Sequence, residues 1–379
     1  MPSFARICQE TLFLTYNSHL KSFFGLSIYA VVRAYWFACG YRIFKPRLLA
    51  PIMDHIAAAS EELFTAQDFS DEPSAYEILE VVQNAPTRLG RTHELRVSST
   101  SLDQAASAVE APDVNGEPSL TLVKVRLDET EVTSRFCTTS TDFIELSRAF
   151  KIHPYTLYLI SRNIVGYQQI GPSDKQGPTP YRTYYATYYV NYEALKIVWA
   201  YNPRTQTSRG IMLQKATPGG TSAYSKFCEK LTAFCSDEMV HHPLFPLFIA
   251  IVSTTEFFDQ RVLAQERLIG QTEMQLPYSP WSLDTSVNPI ATKDAQKLSW
   301  YSRKMAAAVI ELEDVLRHIN MVTRMADAFN QPDTLTPGNE SIIECLGLML
   351  AHLHYTNTFA TFLRERAKNQ LGVVRLPVV

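Results

Sequence analysis

The sequence predicts an α+β protein in which a mixed sheet flanked by helices precedes a bundle of three long antiparallel helices. Apolar residues recur every three or four positions through three long C-terminal segments, which is the period of helices that pack along one another. In the middle of the chain, apolar and polar residues alternate over Leu120–Leu127 as they do in a strand, and further strands are predicted within Tyr181–Tyr201 and over Arg209–Lys215. Prolines separate the C-terminal segments and therefore divide the helical pattern into three.

The composition is that of a globular chain. The protein has 379 residues, of which 46% are hydrophobic, and a formal net charge of −3. This length favours two or three domains, and the apolar content is enough for a sizeable core. A general nucleic-acid binder would carry a basic surface, so we expect no nucleic-acid partner. The six cysteines are scattered without a CxxC pair, which predicts reduced thiols and a cytoplasmic location.

Residues 1–53 are predicted to form an apolar N-terminal helical segment. Within them, residues 23–39 carry Arg33 as the single charge. This run is shorter than the roughly 20 residues that a helical membrane span needs, and an arginine is costly in hydrocarbon. A buried or interfacial helix is therefore favoured, and membrane contact through residues 23–39 stays open as the alternative.

Residues 54–118 are predicted to form an acidic helical region and a linker. Eight acids and no lysine or arginine lie between Asp54 and Thr87. Such charge runs usually form the solvated face of helices, and a cation-attracting surface is the alternative. The stretch Ser98–Pro118 is rich in serine, alanine, aspartate and proline, which is typical of a linker.

Residues 119–222 are predicted to form an α/β domain. Its expected elements are a strand over Leu120–Leu127, a helix capped by Ser140, Thr141 or Asp142, a short helix over Tyr155–Asn163, a loop over Gly166–Pro180, two strands between Tyr181 and Tyr201, and a strand over Arg209–Lys215.

Residues 223–379 are predicted to form the long-helix bundle, a coiled arrangement within one protein. The clearest signal is a seam in which apolar residues are spaced 4, 3, 4 and 3: Met305, Val309, Leu312, Leu316 and Ile319. The segment before it, His241–Met274, and the segment after it, Ile342–Leu371, keep the same rhythm.

Sequence motifs for catalysis are absent. The chain contains no HExxH, GxSxG, GxGxxG or GxxxxGK[ST] pattern, and its histidine pairs have the wrong spacing for one helix face. We therefore predict that the protein is not an enzyme.

The order of elements and three local motifs resemble the cytosolic part of the CorA-like magnesium transporter family. The first motif is an apolar-His-Pro helix break at Phe150–Pro154, followed by Leu157 and Ile160. The second is the pair of strands within Pro180–Val198. The third is the pair of helices Phe248–Ile269 and Leu298–Met325, and Thr356–Gln370 is placed like the family's stalk helix. The resemblance covers residues 119–370. It implies a CorA-like cytosolic domain of a divalent-cation transporter-family protein, located in the cytoplasm or at the cytosolic face of a membrane.

The chain departs from this family at the pore. The Gly-Met-Asn signature is absent, and no pair of hydrophobic spans follows Gln370, so we expect no pore on this chain. Membrane attachment would then need the missing C-terminal spans or residues 23–39. The family's stalk helix also lines up with its own copies in a ring, which implies homo-oligomers. Because Thr358, Thr361, Glu365 and Lys368 make the outward face polar, we expect a monomer or weak oligomer.

Magnesium is the cofactor that the resemblance implies. Hard cations need carboxylate oxygens, and the candidates are Glu256, Asp259, Glu344 and the acids between Asp54 and Glu80. Tyr158 and Leu159 stand where the family has acids, so we expect Mg²⁺ to stabilise the chain little. The alternative function is a stand-alone protein-interaction module that uses the helical bundle.

Overall fold

The computed structural model describes residues 57–70, 76–83, 93–100, 119–129, 134–170, 186–192, 195–215, 223–235, 237–275, 292–330 and 338–375. All of them belong to one compact unit, Ala57–Val379. The predicted N-terminal segment, including residues 23–39, lies outside the described residues. The fold class is the predicted one, a mixed sheet with helices followed by three long helices.

The elements alternate between sheet and helix before the bundle begins. The strands are β1 (Asp68–Phe69), β2 (Tyr76–Gln83), β3 (His93–Thr100), β4 (Leu120–Glu129), β5 (Ser134–Phe136), β6 (Gly166–Ile170), β7 (Ala186–Tyr192), β8 (Leu195–Asn202) and β9 (Thr207–Lys215). The helices are α1 (57–65), α2 (Ser140–Ala149), α3 (Tyr155–Ser161), α4 (Ala223–Phe234), α5 (Asp237–Val240), α6 (Phe245–Gln275), α7 (Thr292–Ala326, followed by the 3₁₀ turn Asp327–Asn330) and α8 (Asn339–Arg375).

The nine described strands form one mixed sheet. Its main path runs β1-β5-β4-β9-β8-β7-β6, and β2 pairs with β4 and β3. The pairs β1–β5 and β4–β9 are parallel, and the other pairs are antiparallel. Strand β8 is buried on both faces from Leu195 to Tyr201, which explains its nearly continuous apolar sequence.

Helices cover both faces of this sheet. On one face, the hydroxyl of Tyr189 donates hydrogen bonds to the carbonyls of Leu159, in α3, and Ile164. On the other face, the indole of Trp199 donates to the carbonyl of Pro243, 2.8 Å away, just before α6 begins. This second face shares one continuous apolar core with the long helices.

The long helices confirm the period read from the sequence. Helix α7 is continuous from Thr292 to Ala326, and the seam residues Leu312 and Leu316 are 0% and 8% exposed. The guanidinium of Arg261 on α6 contacts Glu311 and Asp314 on α7 at 2.7 and 3.0 Å. These contacts join the two helices beside the apolar seam.

Three local predictions are wrong. The acidic helical region predicted within residues 54–118 is helical at α1, but Tyr76–Gln83 forms strand β2. There Ile78 and Val81 pair with β4, and the carboxylate of Glu77 contacts Lys124. Residues Gly166–Ile170 form strand β6 rather than loop, because β7 supplies a partner for their backbone. The N-cap of α2 is Thr139, whose hydroxyl accepts a hydrogen bond from the N–H of Asp142.

Candidate functional site on the long-helix bundle

The candidate metal ligands do not converge. Glu256 forms an ion pair with Lys230 at 3.0 Å and lies 4.0 Å from Lys226, and the hydrogen bond from Lys230 lowers the pKa of this carboxyl. Glu344 is exposed on α8. Within the ranges given above, no group of three or more histidine, cysteine, aspartate or glutamate side chains is placed to hold a metal ion. The geometry therefore offers Mg²⁺ no preformed carboxylate site in this part of the chain.

Of the acids between Asp54 and Glu80, Asp54, Asp71 and Glu72 lie outside the described residues, and three of the others contact separate basic residues. Glu61 accepts hydrogen bonds from Arg148 at 2.9 and 3.0 Å, and Glu77 lies 3.1 Å from Lys124. Asp68 lies 3.7 Å from Arg135. Their positions on α1, β1 and β2 make them partners of basic residues in the α/β layer.

Asp259 joins α6 to α8. Its Oδ2 atom lies 2.6 Å from Nε2 of His352, and its Oδ1 atom accepts a hydrogen bond from the hydroxyl of Thr356 at 2.8 Å. Both carboxylate oxygens are thus engaged by side chains of α8. This residue is a junction between helices in the structure, and no second carboxylate of the described residues completes a metal site around it.

A second junction lies farther along the same two helices. Glu273 is 5% exposed, and its carboxylate accepts hydrogen bonds from both Nε and a terminal nitrogen of Arg366 and from the amide of Gln370. A buried carboxylate needs such partners, because an unpaired buried charge is strongly destabilising. Asp259 precedes Glu273 on α6, and the partners of Asp259 on α8 precede those of Glu273, so the two helices run parallel.

The outward side of α8 carries an apolar row, which we call the outer stripe: Leu348, Tyr355 and Phe362. These side chains are 72%, 66% and 57% exposed and are spaced seven residues apart. A seven-residue repeat keeps side chains on one line of a coiled helix. Large exposed apolar side chains that form a row mark an interaction surface more often than isolated ones do.

The outer stripe corrects the prediction of a polar outward face. Thr358, Glu365 and Lys368 are exposed as expected, and Thr361 is half-buried, but the stripe lies among them. The repeat is present in the sequence. The sequence alone does not show that this row faces water rather than a second helix.

The apolar-His-Pro break lies beside α3. The imidazole of His153 accepts a hydrogen bond from the N–H of Tyr155 at 3.1 Å, and burial lowers the pKa of His153 to about 4. Tyr158 and Leu159 are both buried. Because neither side chain carries a carboxylate, this position supplies no ligand for a hard cation.

No protein-family model matches this chain, and no curated protein matches it. Among the helices that the structure describes, none combines the length and the apolar character required to cross a membrane.

Proposed function

We propose that this chain is a CorA-like cytosolic domain of a divalent-cation transporter-family protein, and that its long-helix bundle aligns copies of the chain along α8. The observation that carries the proposal is the order of elements. From β4 onward the chain has two strands, helix α2, the His-Pro break, the short helix α3, the antiparallel strands β6, β7 and β8, strand β9, and helices α4 and α5. The three long helices follow. That order is the one the resemblance implies.

The outer stripe supplies the contact surface in this proposal. From Leu348 to Phe362 it extends about 21 Å along the helix axis, at about 1.5 Å per residue. A neighbouring copy of α8 would bury these three side chains by packing them between its own, as in a coiled coil. Exposed polar residues on the same helix, such as Glu365 and Lys368, form the rim that interfaces usually have.

The contacts of the candidate carboxylates support a proposed role in alignment rather than in cation binding. The carboxylates of Glu256 and Asp259 are already held by Lys230 and by His352 and Thr356. Releasing either carboxylate for Mg²⁺ would break an existing interhelical contact. Assembly through the outer stripe should therefore be independent of Mg²⁺.

A stand-alone protein-interaction module is the second candidate function. The outer stripe favours it as well, because an exposed apolar row can receive an amphipathic helix of another protein. The two functions differ in the partner: the first requires a second copy of this chain, and the second requires a different protein.

Light scattering combined with size-exclusion chromatography at micromolar concentrations tests the first proposal. We expect the wild-type chain to exceed the monomer mass in a concentration-dependent manner, with the same result in Mg²⁺ and in salt of matched ionic strength. The triple variant Leu348→Ser, Tyr355→Ser, Phe362→Ser should be monomeric. Ile310→Ser is the matched control, because Ile310 is 68% exposed on α7 and outside the stripe. A wild-type monomer at all concentrations would reject alignment of copies and favour the interaction module.

A further inference from the structure

A cleft opens between the edge strand β6 and the C-terminal half of α7. Its volume is about 480 Å³, and its lining includes Val165, Tyr167, Arg317, Asn320, Met321 and Arg324. The four residues from α7 fall at spacings of three, four and seven, so they share one face of the helix. The volume lies within the range of about 300–1,000 Å³ that small-molecule sites occupy.

The two arginines give this cleft its charge. Arg317 is 75% exposed, and its contact to Asp314 is a long one, 3.4 Å within the same helix. Asp314 is itself held more closely by Arg261 at 3.0 Å. Arg324 is exposed and forms no ion pair with any side chain that the structure describes. Both guanidinium groups can therefore turn toward an anion in the cleft.

The tyrosine at the cleft contributes to its wall. The hydroxyl oxygen of Tyr167 is buried from solvent and has no hydrogen-bond partner among the described residues, and burial raises the pKa of this group. Because this oxygen is closed off from solvent, a ligand in the cleft would meet the arginines as its donors rather than the Tyr167 hydroxyl.

We propose that this cleft binds a small phosphate-bearing molecule, whose phosphate is held by Arg317 and Arg324 and whose body rests on Val165 and Met321. Arginine presents a planar fork of donors that matches phosphate and carboxylate oxygens. A carboxylate has two oxygens, whereas two guanidinium groups and the Asn320 amide line this cleft. Phosphate, with more oxygens, uses this larger donor set better.

Calorimetric titration of the full chain with AMP and with inorganic phosphate tests the proposal. We expect saturable binding of AMP, with inorganic phosphate weaker because it lacks a body to cover the apolar wall. Arg317→Gln together with Arg324→Gln should lower the AMP affinity at least about tenfold, since each lost hydrogen bond to a charged group is worth about one factor of ten or more. Arg303→Gln is the matched control, because Arg303 is exposed on the same helix away from the cleft.

Two further arms fix the ligand class. Citrate should compete poorly with AMP, and equal competition would overturn the preference for phosphate. Vesicles of phosphatidylcholine with and without phosphatidic acid distinguish a lipid phosphate from a free one. Binding of AMP or of the phosphatidic acid vesicles supports the proposal only if Arg317→Gln together with Arg324→Gln weakens it. Absence of binding to AMP, to inorganic phosphate and to the vesicles would refute the proposal.

Discussion

Substitution of His153 tests how the apolar-His-Pro break is stabilised. Its backbone N–H donates to the hydroxyl of Thr187, and its Nδ1 atom accepts from the N–H of Tyr155, both at 3.1 Å. Thr156 returns two hydrogen bonds to the His153 carbonyl. The imidazole thus acts as an acceptor at the start of α3, and only its neutral form can do so.

Acid should weaken this arrangement. Burial lowers the pKa of His153 from 6.5 to about 4, so between these values the unfolded chain binds a proton that the folded chain does not. The stabilising contribution is complete above pH 6.5 and declines as the pH falls toward about 4. A shift of this size corresponds to about 3 kcal/mol in total, because each pKa unit is worth about 1.4 kcal/mol.

Urea unfolding of the wild type and of His153→Asn measures this contribution. Asparagine retains an oxygen that can accept the hydrogen bond from Tyr155 but does not titrate. Between about pH 7.5 and about pH 4.5 the wild type should lose about 2–3 kcal/mol more than the variant. Subtracting the free energy of unfolding of the variant from that of the wild type at each pH cancels the contribution of the other titrating groups. Parallel pH profiles would refute the argument that His153 is held neutral.

Three further outcomes follow from the bundle. Leu312→Ala should cost about 2–5 kcal/mol in urea unfolding because it opens a cavity in the seam, whereas Ile310→Ala on the same helix should cost less than about 0.5 kcal/mol; equal losses would contradict the packing. Arg366→Ala should cost about 2–3 kcal/mol because it removes the charged partner of the buried Glu273, and Arg364→Ala should change stability by less than about 0.5 kcal/mol. Millimolar Mg²⁺ should raise the melting temperature no more than salt of matched ionic strength does; a specific rise of several degrees would show a cation site that the described carboxylates do not form.

Most of the bundle could be predicted because its signal is local. The 3.5-residue period persists through Met305–Ile319, and any helix that keeps this period must bury the same row of side chains. Strand β2 could not be found in the same way. Its acids Glu77 and Glu80 resemble a helix surface, and its identity as a strand depends on pairing with β4, some forty residues away.

The functional surfaces were harder to predict for a related reason. The outer stripe is visible as a repeat but becomes informative only when the burial of the neighbouring seam shows which side faces water. The cleft that we propose to bind phosphate lies between Tyr167 at the sheet edge and Arg317 and Arg324 on α7, and no local sequence pattern links them. The candidate metal ligands do not converge because residue type alone does not show which acids pair with other side chains, and in the fold Glu256 contacts Lys230 and Asp259 contacts His352.

The most direct test of the proposed function measures how neighbouring copies of α8 are oriented. Genetically encoded spin labels at the exposed positions Gly347 and Asn369, introduced one at a time, leave the outer stripe and the native cysteines unchanged. The two positions lie about 33 Å apart along the helix. Copies aligned in parallel, as in a CorA-like assembly, should give similar short intermolecular distances at both positions by pulsed dipolar spectroscopy. Long distances at both helix ends, or no intermolecular coupling at micromolar concentrations, would contradict it.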